Sequence, residues 1–236
     1  MQPIPVVEGA IDSAVGSRTF IAKVYMWMAL GLFITAAVSV APILVMGESV
    51  YMELLIENIF VFYGLLIFEL IIVFALTAMI HKIPALLGAL IFLFYSFLNG
   101  ITISPIFIIY TGASIFSTFA VCAIMFGGTS ILGFITKIDL TKFGSFLIMA
   151  LFGLIIAMVV NLFLHSDRMS WIISFIGVIL FVGLTAYDTQ KIKNLSGSID
   201  SSSEEGQKAS IMGALTLYLD FINLFLFLLR LLGRRR

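Results

Sequence analysis

Three carboxylates stand in stretches of sequence that are otherwise apolar: Glu69, Asp188 and Asp220. The remaining acidic residues, Glu8, Asp12, Glu48, Glu53, Glu57, Asp139, Asp167, Asp200, Glu204 and Glu205, fall near the N-terminus or between the apolar runs. An ionisable group within a membrane span costs roughly 3 kcal/mol or more to insert, so it marks a candidate functional site. Asp188 and Asp220 lie on consecutive runs, equidistant from position 204 in a hydrophilic stretch. Antiparallel helices would place them at similar depths, about 10–15 Å from their helix ends at the usual helical rise. Two carboxylates that met there would share a proton and titrate as one coupled unit. Protonated, such a pair can hold two helices together; deprotonated, it attracts a cation or drives them apart. Calcium takes about six to eight oxygen ligands. Two aspartates suit transient calcium passage better than storage, and no tightly bound metal or cofactor is expected.

Each of these residues also has a plainer reading. Asp188 would be a helix-end carboxylate beside Lys191, exposed to headgroups. Asp220 lies deeper in its run, with Tyr218 and Asn223 as expected hydrogen-bonding neighbours. Glu69 is either a structural hydrogen-bonding group or a pore or latch carboxylate. Asn99 and Asn161 read as interhelical hydrogen-bonding residues. His81 and His165 fall in opposite loops, and the single Cys122 allows neither a disulfide nor a zinc cluster. Gly127, Gly128, Gly133, Gly153, Gly177 and Gly183 read as points of close helix approach. No phosphate loop, nucleophile elbow or zincin pattern occurs, so the chain is not expected to be an enzyme. An intramembrane aspartyl protease would carry Gly-x-Gly before its second aspartate, whereas Asp220 follows Leu217-Tyr218-Leu219.

The elements that must position these groups follow from composition. Of 236 residues, 61% are hydrophobic and only 11% charged, with a mean hydropathy of +1.18. A soluble domain of this size cannot hide that excess, which excludes a soluble enzyme, a disordered chain and a nucleic-acid binder. The sequence predicts an all-α polytopic bundle with spans at Val24–Met46, Ile59–Ile80, Pro84–Ile109, Ser114–Thr136, Phe143–Leu164, Trp171–Thr189 and Ile211–Leu232. A polar cytoplasmic segment (1–21) would precede one transmembrane domain (22–236). The stretch Met1 to Ser17 has no compact apolar core of the signal-peptide kind, so the first run is expected to be retained. Asn99-Gly100 and Pro105 predict a tilt or kink in the third run. Two connections have length, Gly47–Asn58 and Lys191–Ser210, and the second reads as a flexible loop. With the N-terminus inside, the cytoplasmic side holds Arg18, Lys23, Lys82, Lys137, Lys142, Lys191, Lys193 and Lys208, and the outer loops only Arg168. Arg230, Arg234, Arg235 and Arg236 would lie outside after seven full crossings, or inside if the last run were re-entrant.

The stretches FVGLTAYDTQ (Phe181–Gln190) and GALTLYLDFINLF (Gly213–Phe225) closely resemble the Bax inhibitor-1 family. So do LNGITISPIFIIYT (Leu98–Thr111) and AKVYMWMALG (Ala22–Gly31). The resemblance runs from about Ser17 to the C-terminus, and the short GRRR tail is similar to that of the family's bacterial inner-membrane branch. It implies a seven-helix fold whose seventh helix is surrounded by the other six. It further implies a pH-dependent calcium leak controlled by paired aspartates, carried over to Asp188 and Asp220, with Glu69 as the acidic residue of the second helix. Some members carry a basic latch about three turns later, where this chain has Ile80, His81 and Lys82 and no arginine. The implied partners are membrane lipid, protons and calcium, and a membrane-bound AAA protease that bacterial relatives serve as substrate and modulator. The polar segment Met1 to Ser17 would then be a handle for degradation.

Overall fold

A computed structural model describes residues 5–236, with side chains from Gly16 onward. The expected handle therefore lies, as far as Val15, outside the residues whose side chains are described. A chain in lipid must satisfy every backbone N–H and C=O internally, and helices do so segment by segment. The helices are α1 (Pro5–Met46), α2 (Glu48–Glu57), α3 (Ile59–Met79), α4 (Ala85–Ile103), α5 (Ile106–Ile109), α6 (Gly112–Ile135), α7 (Gly144–Leu164), α8 (Asp167–Ser196) and α9 (Glu204–Leu232). Seven stretches are long and apolar enough to cross a membrane: Gly16–Met46, Ile59–Lys82, Ala85–Ile109, Gly112–Ile135, Leu140–Leu164, Asp167–Ser196 and Glu204–Leu232.

The chain forms two compact units, Met1–Ile109 with Lys193–Tyr218, and Tyr110–Ile192 with Leu219–Arg236. In the first, α4 packs against α1 and α3. Gly100 lets α4 approach α1 so closely that a Cβ there would lie 2.7 Å from the Val38 Cβ. The third apolar run breaks at its proline, as expected: α4 stops at Ile103 and α5 starts at Ile106. Asn99 and Gly100 lie within unbroken helix. The Gly47–Asn58 connection is itself helical as α2, anchored by the Tyr51 hydroxyl on the Ser104 hydroxyl.

The flexible loop expected at Lys191–Ser210 is mostly helix, and only residues 197–203 separate α8 from α9. Lys191, Lys193, Glu204, Gln207 and Lys208 are polar but good helix formers, so both helices continue beyond their apolar runs. Glu204 and Lys208 pair at 3.0 Å one turn apart. The Gly206 N–H donates to Ser203 Oγ at 3.0 Å, capping α9. In the turn before it, Ser202 donates its N–H and O–H to Asp200 Oδ1 at 2.8 and 2.7 Å. Those bonds hold the Asp200 carboxyl below its ordinary range.

In the second unit α6 touches both α8 and α9. Ser130 accepts from Thr189 of α8 at 3.4 Å, and the Cys122 thiol donates to the Phe221 carbonyl of α9 at 3.7 Å. The Phe221 ring sits edge-on to Phe119 and Phe126, with centroids 5.4 Å away in both cases. Gln190 ties down the α6–α7 connection, donating to Ile138 O at 2.8 Å and accepting from Leu140 N at 2.7 Å. The final run is one uninterrupted helix, not re-entrant. Its far end is bonded to the start of α6, with Thr111 N donating to Arg234 O at 3.1 Å and Arg234 N donating to Ser114 Oγ at 2.8 Å.

Candidate functional site

In the first unit, Glu69 of α3 is 5% exposed and accepts two neutral hydrogen bonds, from Asn99 Nδ2 at 3.1 Å and Thr102 Oγ1 at 2.9 Å. Asn99 and Thr102 are three residues apart on α4, so they share a helix face. The network continues from Asn99 Oδ1, which accepts from the Tyr218 hydroxyl of α9 at 3.0 Å. Thr35 Oγ1 lies 2.6 Å from that same hydroxyl and donates to the Ser96 carbonyl at 2.8 Å. With the tyrosine proton on Asn99, the one Thr35 proton is divided between the Tyr218 oxygen and the Ser96 carbonyl. The Tyr218 ring is held edge-on by Phe92 and Tyr95, at centroid distances of 5.7 and 5.8 Å. No ion pair reaches Glu69 among the described residues. The cluster is a buried acid whose carboxylate is solvated by a neutral amide and a hydroxyl, without a fixed counter-charge among the described residues.

In the second unit, Asp188 of α8 and Asp220 of α9 are 9% and 5% exposed, and Asp220 lies within electrostatic reach of Asp188. Asp188 is no helix-end group: α8 runs eight residues further, to Ser196, although the Lys191 charge does reach it. The two aspartates do not stand at equal distances from their helix ends. Asp220 is sixteen residues into α9, about 24 Å along the helix, whereas Asp188 is about 12 Å from the end of α8. The polar ends of the two helices are therefore unequal, and seven residues, 197–203, separate them. Asp220 Oδ2 is the one buried side-chain oxygen or nitrogen among the described residues with no hydrogen-bond partner. An unsatisfied buried carboxylate oxygen forgoes its solvation without return, which structural carboxylates ordinarily avoid.

The other expected neighbours of Asp220 are engaged elsewhere. Tyr218 gives its hydroxyl to Asn99, and Asn223 donates back to Leu219 O of its own helix at 2.8 Å. His81 and Lys82 are exposed and form no ion pair among the described residues. Sequence reasoning missed Thr102, Thr35 and Ser96; the one available signal was the Asn99–Thr102 spacing. Among the described residues no three His, Cys, Asp or Glu side chains are grouped to hold a metal ion.

Seven apolar helices and two sites of buried acid define a polytopic membrane protein. The family model described as "Inhibitor of apoptosis-promoting Bax1" matches residues 17–236, and the chain belongs to that family, the Bax inhibitor-1 family. It is 48% identical to the inner membrane protein YbhL of Escherichia coli over 237 aligned residues, covering 100% of both chains. It is 44% identical to an uncharacterized protein of Deinococcus radiodurans over 91% of this chain and 90% of that one. An uncharacterized protein of Borreliella burgdorferi is 41% identical over 92% of each.

Proposed function

We propose that this protein is a pH-sensitive calcium or cation leak channel of the bacterial inner membrane, gated by Asp188 and Asp220. The observation that carries the reading is the buried Asp220 oxygen without a partner, in the field of a second buried carboxylate. Two carboxylates that share a low-dielectric region compete for protons and cations as one unit. A cation passing between them would meet the acceptor that the protein leaves unfilled, and a shared proton would remove that attraction. Glu69 supplies a third buried acid on the same polypeptide, bound only by neutral donors. The inner-membrane placement is supported by the name of the Escherichia coli relative and by the seven apolar spans. A cytoplasmic N-terminus is supported by the eight-to-one distribution of Lys and Arg. A central α9 belongs to the same reading: 72% of its most apolar window is buried, against 6–50% in the other spans.

The test is calcium entry into proteoliposomes across a pH series. Asp188→Asn and Asp220→Asn should each flatten the pH response, because neither leaves a titrating pair. Flux and pH response that match the unsubstituted protein in both variants would overturn the gate.

A further inference from the structure

A cavity of about 400 Å³ lies in the second unit between α7, α8 and the end of α9. Its wall is apolar, with Ile155, Met158 and Leu162 of α7, and its polar rim consists of Asn161, Ser170 and Arg230. The two parts are separated by depth. Asn161 is three residues from the end of α7, Ser170 three from the start of α8 and Arg230 two from the end of α9. All three therefore sit at the membrane-interface end of their helices. Ile155 is six residues before Asn161 on α7, about 9 Å deeper. On the apolar side the wall is open, with Ile155 47% and Leu162 70% exposed.

The rim offers donors and no carboxylate. Arg230 forms no ion pair among the described residues, and its guanidinium is steadied 5.7 Å from the Phe227 ring centre. Arg235 lies within electrostatic reach of Arg230, so two like charges stand together at this end. Asn161 Nδ2 donates to Ser170 Oγ at 2.7 Å and Asn161 Oδ1 accepts from Ser166 N at 3.2 Å. That arrangement fixes the amide and leaves the Ser170 hydroxyl proton and the second amide proton to donate. Asp167, the neighbouring acid at the start of α8, pairs with no cation among the described residues. Seven crossings also carry these arginines to the cation-poor side, where the positive-inside pattern gives them no place. An anionic group bound at the rim accounts for both the paired cations and the missing acid.

We propose that this cavity binds one anionic phospholipid, its phosphate on Arg230 and Ser170 and an acyl chain along Met158 and Ile155. The order of donors and apolar wall with depth matches a lipid, whereas a free anion would use the rim alone. The site is independent of the aspartate pair.

The test measures lipid retention by the purified full-length protein in detergent, using native mass spectrometry. The added compounds are palmitoyl-oleoyl phosphatidylglycerol, the phosphatidylcholine with the same chains, and inorganic phosphate. The phosphatidylglycerol should be retained roughly tenfold better than the phosphatidylcholine, and Arg230→Gln should remove that preference, as expected for loss of a charge-assisted contact. Met158→Trp, which fills the wall and spares the rim, should lower retention by a similar factor; it also reads the site if Arg230→Gln fails to fold. Millimolar phosphate should not displace the lipid. Equal retention of both lipids, undiminished retention in Met158→Trp, or displacement by phosphate alone would each overturn the proposal.

Discussion

Tyr218 shows what one hydroxyl can organise inside a membrane. It is fully buried and joins Asn99, and through it Glu69, to Thr35. Tyr218→Phe keeps the ring contacts with Phe92 and Tyr95 but leaves Asn99 Oδ1 without its donor. The expected loss is about 1 kcal/mol, the usual worth of an interhelical hydrogen bond in lipid together with the cost of a stranded acceptor. Reversible unfolding in mixed micelles would measure it, and an unchanged midpoint would show that the network adds no stability. Part of this network is legible in the sequence, because Glu69 and Asn99 are conspicuous among apolar neighbours. Thr35 and Thr102 are not, since threonine is commonplace in spans and satisfies itself on its own helix as readily as on another. Asn223 misleads in the opposite direction: it looks like a partner for Asp220, yet it returns to its own helix at Leu219. Sequence gives the polarity of a residue in a span but not the face on which it is used.

At the scale of the helices, the glycines that read alike in sequence separate into two kinds. A Cβ on Gly133 would collide with the Ala186 carbonyl, and one on Gly177 would stand 2.7 Å from the Phe227 ring. Gly127, Gly128 and Gly153 would meet nothing within 4 Å. Gly133→Ala should therefore cost about 1–3 kcal/mol by forcing α6 from α8, whereas Gly153→Ala should be neutral or slightly stabilising. Unfolding of the two variants under one set of conditions checks the contrast; equal effects would mean that α6 and α8 adjust freely. The seven spans themselves are legible because length and hydropathy suffice to find them. The missing part is the polar continuation of α8 and α9, for helix-forming lysines, glutamates and glutamine carry no apolar signal. That continuation also moves the turn between the two helices away from the midpoint of the two aspartates.

For the whole molecule, an unbroken α9 implies that its two ends emerge on opposite sides of the bilayer. Cysteines introduced at Ser198 and Arg236 should label from opposite faces, with Arg236→Cys reactive from outside intact cells and Ser198→Cys only after permeabilisation. The native thiol gives no background, because Cys122 is 0% exposed. Labelling of both positions from one face would contradict seven crossings. Sequence leaves this point open, because the terminal arginines favour one side and the count of spans favours the other. In the structure Arg234 is bonded to Thr111 and Ser114, so the labelling of Arg236→Cys also reports the side on which α6 starts. The unequal burial of the spans has a further consequence. Only 6% of the most apolar window of α7 and 11% of that in the second span are buried, against 72% in α9. A bilayer accepts one branched or aromatic side chain nearly as well as another, so the outer faces of α3 and α7 are free to drift among them over generations. On α9 almost every exchange alters a packed neighbour, and inheritance there should be close to literal.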